Sequence, residues 1–220
     1  MRRVWRQQYH QLRLHWRSGC LFILSMSLFV AALLRETFQS GATAPTIYAY
    51  LFNSQLFSTI YLPLCLMASL SLFDYRLLDY GRVGRKRVWF WQLLSQNGIM
   101  QGMLWGLWTG SLLWRSYFLG HWMAVKAILW GCLQLGMHQG FFVTLSLILY
   151  WSLRKKIMAI LGIWLLEVVS LDLLQQPASP FFKYTHLAPF GSHWSAALVV
   201  CLSWGVAIIG LCWLIDWRDS

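Results

Sequence analysis

The chain has 220 residues, of which 58% are hydrophobic and only 11% charged, with a formal net charge of +11 and a mean hydropathy of +0.52. A soluble domain carries about a quarter charged residues. This composition therefore excludes an ordinary soluble fold and predicts an all-α polytopic membrane protein with little mass left for a soluble module. The basic residues are spread over segments that flank apolar runs, which argues against nucleic acid as a partner.

Residues 1–19 are basic and amphipathic. Trp5, Tyr9, Leu12 and Trp16 repeat at helical spacing opposite Arg3, Arg6, His10, Arg13 and Arg17. A cationic face opposite an aromatic one describes a helix lying in the membrane interface. The alternative is a basic leader before the first span. Residues 20–34 are the first apolar run. Ala42-Thr43-Ala44 looks like a cleavage site, but Pro45 follows it directly, so the run reads as an uncleaved span. The second span covers 47–73 and contains Asn53, Gln55 and Pro63. Its amides are expected to face protein, because unpaired polar groups are costly in hydrocarbon, and Pro63 is expected to kink the helix.

Residues 74–91 are the longest charged segment, broken by Gly81 and Gly84 and ending in Arg85, Lys86 and Arg87 before Trp89 and Trp91. They read either as a docking surface for a cytoplasmic partner or as a positive loop that fixes topology and touches anionic headgroups. The third span, 92–114, carries glycine at every fourth place: Gly98, Gly102, Gly106 and Gly110. These form one drifting stripe on a helix. A soluble helix would lose about 1 kcal/mol at each relative to alanine. A membrane helix tolerates them, and they let another helix approach closely. The stripe is therefore expected to lie near the centre of a bundle, as a tight static contact or as a sliding, gating one. Asn97 and Gln101 sit beside it, placed to bond across the contact.

The fourth span, 122–150, has its own small-residue row in Gly120, Ala124, Cys132, Gly136 and Gly140, which makes it the natural partner for the stripe. It also holds Gln134 and His138, one turn apart. His138 reads as a satisfied interhelical hydrogen bond, or as a group with a proton or substrate role. The basic turn Arg154, Lys155 and Lys156 precedes the fifth span, 157–174, which contains Glu167 and Asp172. An intramembrane carboxylate carries a functional hypothesis, although Glu167 is near enough to the span's end to face water instead. Residues 175–193 are apolar but broken by Pro177, Pro180 and Pro189, which suits an outer segment that does not cross. The last span is 194–215. Six spans result. Thirteen Arg and Lys flank them on the N-terminal, 74–91 and 151–156 side, against Arg35, Arg115 and Lys183 on the other, which puts both termini in the cytoplasm.

The five cysteines lie in or beside apolar runs without a C-x-x-C pair and read as buried small hydrophobes. No phosphate loop is present, so ATP hydrolysis is not expected of this chain alone. No H-E-x-x-H or G-x-S-x-G motif occurs. Ser111 and His138 are the one conceivable nucleophile and base.

The order of parts resembles the membrane subunit of an ABC-2-type (ATP-binding cassette) transporter across the whole chain. Residues 1–19 resemble the family's N-terminal amphipathic helix, 20–220 its six-span domain and 175–193 its short external segment. The 74–91 stretch resembles its docking loop, with Asp79 and Gly81 similar to the acidic residue and glycine found there. The Arg85-Lys86-Arg87 cluster departs from that pattern. The resemblance implies a cell-membrane permease half paired with a second copy or a related chain. A separate ATPase subunit holding ATP and Mg would grip Arg76, Asp79, Gly81, Arg82, Gly84, Arg85, Lys86 and Arg87. Asn97, Gln101, Gln134, His138 and Glu167 would then be candidate pathway groups, and an amphiphilic or peptide-like cargo suits so apolar a chain. The rivals are a membrane protein acting by contact, such as an immunity or assembly factor, and an intramembrane enzyme using Ser111, His138 or Glu167.

Overall fold

The computed structural model describes residues 20–31, 51–52, 56–71, 86–118, 122–174 and 194–218. The expectations for 1–19, Asn53, Gln55, Arg76, Asp79, Gly81, Arg82, Gly84, Arg85, Gly120 and 175–193 lie outside these residues. The described residues are all-helical, with no strand among them. We label the helices α1 (Cys20–Ala31), α2 (Phe57–Ser71), α3 (Lys86–Phe118), α4 (Trp122–Leu153), α5 (Lys156–Leu174) and α6 (Trp194–Arg218). Among the described residues, two stretches are long and apolar enough to cross a membrane: Ile128–Leu153 within α4 and Leu198–Ile215 within α6.

Local chemistry explains the ends. Helix α3 begins at Lys86, so the last residues of the charged 74–91 segment are its first turns rather than a separate loop. Between α4 and α5 only Arg154 and Lys155 are non-helical. Arg154 takes φ 58°, the left-handed conformation that usually falls to glycine after a helix. Its N–H donates to the Tyr150 carbonyl at 2.7 Å and closes α4, while Ala159 N–H donates to Lys155 O at 3.1 Å and opens α5. The Arg154 guanidinium lies 4.2 Å over the Trp151 ring, an attraction that offsets the backbone cost.

The bundle is organised around α4, which packs against α2, α3, α5 and α6. Its apolar stretch is 61% buried, whereas that of α6 is 22% buried and lies at the periphery. The main core joins Met26 and Val30 of α1, Leu62 and Leu66 of α2, Leu104 and Trp108 of α3, and Ile128 and Leu135 of α4. A second cluster brings together Leu70, Leu94, Trp151, Ala159 and Ile215. The ends of α2, α4 and α6 therefore lie with the starts of α3 and α5.

This arrangement corrects one expectation of the glycine stripe, that it packs against the small-residue row of α4 within the same chain. A Cβ added at Gly98, Gly102, Gly106 or Gly110 would meet nothing within 4 Å, and all four glycines are exposed. The two small-residue rows do not face each other. The row on α4 receives tryptophan instead. A Cβ on Gly136 would lie 2.8 Å from Trp105 Nε1, and one on Gly140 would lie 2.6 Å from Trp204 Cζ2. The physical reason is volume: a missing side chain on α4 makes a notch that an indole fills more completely than a second glycine could.

Candidate functional site

The interior holds a connected set of polar groups on α2, α3 and α4. Tyr61 Oη donates to Gln139 Oε1 at 2.7 Å. Gln139 Nε2 donates to the Gln101 side-chain oxygen and, at 3.1 Å, to the Gln101 carbonyl. Gln101 Nε2 donates to the Cys65 carbonyl at 3.0 Å. Cys65 follows Tyr61 by one turn, so the circuit leaves α2, passes through α4 and α3, and returns to α2. Tyr61, Gln101 and Gln139 are all buried. A buried amide surrounded by apolar side chains is stable only when its donors and acceptors are engaged, and here each amide spends them on a neighbouring helix. We refer to this circuit as the clamp.

Three indoles add bonds of the same kind. Trp105 Nε1 donates to Cys132 O at 2.7 Å, from α3 to α4. Trp204 Nε1 donates to Thr144 Oγ1 at 3.0 Å, from α6 to α4, and the Thr144 hydroxyl donates in turn to Gly140 O at 2.7 Å. Trp164 Nε1 donates to Ser58 O at 3.0 Å, from α5 to α2. Trp91, Trp114 and Trp213 are exposed, in contrast to these three and to the buried Trp108 and Trp151.

The start of α2 is irregular. Residues Phe57–Tyr61 form a π-turn, and Leu62 N–H donates to Phe57 O, five residues back. Pro63 follows and has no N–H to give. Pro63, expected to kink the helix, lies directly after this widened turn. The Phe57 ring lies 6.2 Å from the His138 ring, edge-on, and 6.3 Å from Phe142.

The residues singled out from the sequence divide clearly. Gln101 belongs to the clamp. Asn97 is buried one turn before it, with its side-chain oxygen unpartnered among the described residues. Gln134 and His138 are buried on α4. Glu167 is 3% exposed, one turn after Trp164, so it faces the bundle interior and not an aqueous boundary. Lys86 and Arg87 lie in the first turn of α3. Gln139 was not foreseen. It adjoins His138 in sequence but points to a different neighbour, and its signal was an amide in an apolar run at the depth of Gln101.

The register separates the Ser111–His138 pair. Gln101 meets Gln139 and Trp105 meets Cys132. Ser111 is therefore level with a residue near 129, about nine residues from His138, or roughly 13 Å along the axis. All five cysteines are free, and Cys201 is exposed rather than buried. Its Sγ lies 3.1 Å from Met137 Sδ.

Comparison with protein-family models, curated proteins and solved structures gave no match.

Proposed function

We propose that this chain is the membrane half of an ATP-binding cassette exporter, spanning the cell membrane six times with both termini in the cytoplasm. The observation that carries the reading is an inverted polarity. Leu202 and Val206 are 70% and 69% exposed, in line with the exposed Leu198, Ile209 and Trp213, while His138 and Glu167 are each 3% exposed. In water the five apolar side chains of that one face would forgo on the order of 5–10 kcal/mol of burial. In lipid they are at home, and the polar groups are inside, where they belong.

Two further features support it. Lys86, Arg87, Arg154, Lys155 and Lys156 belong to one end of the bundle, against Arg115 and Lys126 towards the other, as a positive-inside topology requires. Trp91 and Trp114 are both exposed on α3, 23 residues apart, which is about 34 Å and close to the thickness of the hydrocarbon core. In this reading the basic end is cytoplasmic and a separate ATPase subunit, with its ATP and Mg, grips the 74–91 segment. The clamp is engaged on every side, so the cargo route runs between two membrane halves, and the open glycine stripe of α3 is where the second half packs. An amphiphilic or peptide-like cargo fits an interior with so few charges.

Pull-down of the tagged chain from native membranes in mild detergent, with ATPase assayed on the eluate, tests this. A co-purifying nucleotide-binding subunit is expected, reduced at least tenfold by Arg85→Glu/Arg87→Glu. Recovery of the chain alone under several detergents would favour a membrane protein that acts by contact.

A further inference from the structure

We infer that the corner between α4 and α5 binds one anionic phospholipid, with the headgroup at Arg154 and Lys155 and an acyl chain along the outer face of α5. The inference rests on the membrane placement proposed above, though not on the transport role. Arg154, Lys155 and Lys156 are consecutive, and α5 begins at Lys156 with no acidic residue in its first turn. The start of a helix carries partial positive charge, which disfavours cations and attracts anions. Three cations at that end make a corner whose own electrostatics favour an anion. The end of α6 lies beside it, since Ile215 shares a cluster with Trp151 and Ala159. Asp216 and Arg218 on that end of α6 cancel formally, so the corner keeps its positive sign.

Two features separate this corner from a loose basic loop. The first is fixed position. Only Arg154 and Lys155 are non-helical. Arg154 is held by its N–H bond to Tyr150 O, with its guanidinium 4.2 Å over the Trp151 ring, and Lys155 is exposed. The second is continuity with an apolar lane. Ile157, Leu161, Leu165 and Val169 are all exposed and recur at every fourth place, so they form one slowly drifting row that starts beside the cations. From Ile157 to Val169 the row runs about 18 Å along the axis, close to one leaflet's share of a hydrocarbon core about 30 Å thick. A free phosphate would meet the cations and leave the lane uncovered. A zwitterionic lipid would cover the lane without bringing net charge. An anionic phospholipid does both. The cytoplasmic leaflet, where the proposed topology puts this corner, is also the one that carries anionic lipid.

The test uses the full chain in mild detergent with phosphatidylglycerol or phosphatidylcholine added, and native mass spectrometry measures the lipid that stays bound. The wild type should retain one phosphatidylglycerol with a preference of about tenfold or more over phosphatidylcholine. Lys155→Gln should lower that preference about fivefold, the weight of one cation near an anionic surface. Arg154→Gly removes the guanidinium and leaves a residue that adopts the left-handed backbone readily, and it should lower the preference by a similar factor. Arg115→Gln, at the other end of the bundle, should leave it unchanged. Millimolar inorganic phosphate should not displace the lipid. The inference is overturned if the two lipids are retained equally, if Lys155→Gln keeps the full preference, if Arg115→Gln removes it, or if phosphate displaces the lipid, which would mark a site for a free anion. Equal retention would leave the membrane placement standing, whereas retention of neither lipid would overturn that placement as well. Should Arg154→Gly fail to fold, Lys155→Gln decides alone.

Discussion

Gln139→Leu is expected to destabilise the bundle by about 2–4 kcal/mol. Interhelical hydrogen bonds in lipid average about 0.6 kcal/mol and reach about 1.7, and this substitution removes three of them. It also strands the Tyr61 hydroxyl and the Gln101 side-chain oxygen among apolar groups, and a stranded group costs about 1–3 kcal/mol. Leucine matches the volume, so packing is not the cause of the loss. Tyr61→Phe removes a single hydroxyl and should cost about 1 kcal/mol. The two residues share a bond, so the double variant should fall short of the sum of the singles. Detergent-induced unfolding followed by tryptophan emission measures all three variants. A Gln139→Leu variant as stable as the wild type would mean that the clamp does not hold the helices together.

Gly140→Ala should cost about 1–3 kcal/mol through overpacking, although it adds one methyl group to a helix that favours alanine. The new Cβ would fall 2.6 Å from the Trp204 ring. That ring cannot swing aside without giving up its 3.0 Å bond to Thr144. Gly102→Ala is the contrast. Nothing lies within 4 Å of its Cβ, so the isolated chain should be unchanged or gain up to about 1 kcal/mol from helix propensity. Its effect should appear in assembly, where a second membrane half would meet the methyl group. The opposite ordering, with Gly102→Ala the more damaging variant in the isolated chain, would contradict the packing described for α3 and α4.

These two residues show what a sequence can and cannot disclose. The apolar runs locate the helices well: 122–150 and 157–174 were expected, and α4 and α5 follow them closely. Glycine spacing shows that a face is narrow but not what occupies it. Both rows read as helix contacts, yet one receives Trp105 and Trp204 and the other is open. The occupant depends on which helices become neighbours and at what register, and neither is a local property. The same limit explains the partners. Gln101 is legible because an amide inside an apolar run needs a partner. Gln139 is not legible as that partner, because facing residues on two helices share depth rather than spacing. Pro63 is visible in the sequence, but the widened turn ahead of it is not.

The central claim is that the exposed face of α6 meets lipid while the polar groups are inside. Spin labels at Leu202, Val206 and Ile209 in liposome-reconstituted protein test it most directly, by comparing relaxation from oxygen with relaxation from a water-soluble nickel chelate. High oxygen access with exclusion of the chelate at all three positions is the expected result. Ready access of the chelate to these positions would place the face in water and remove the basis for a membrane permease.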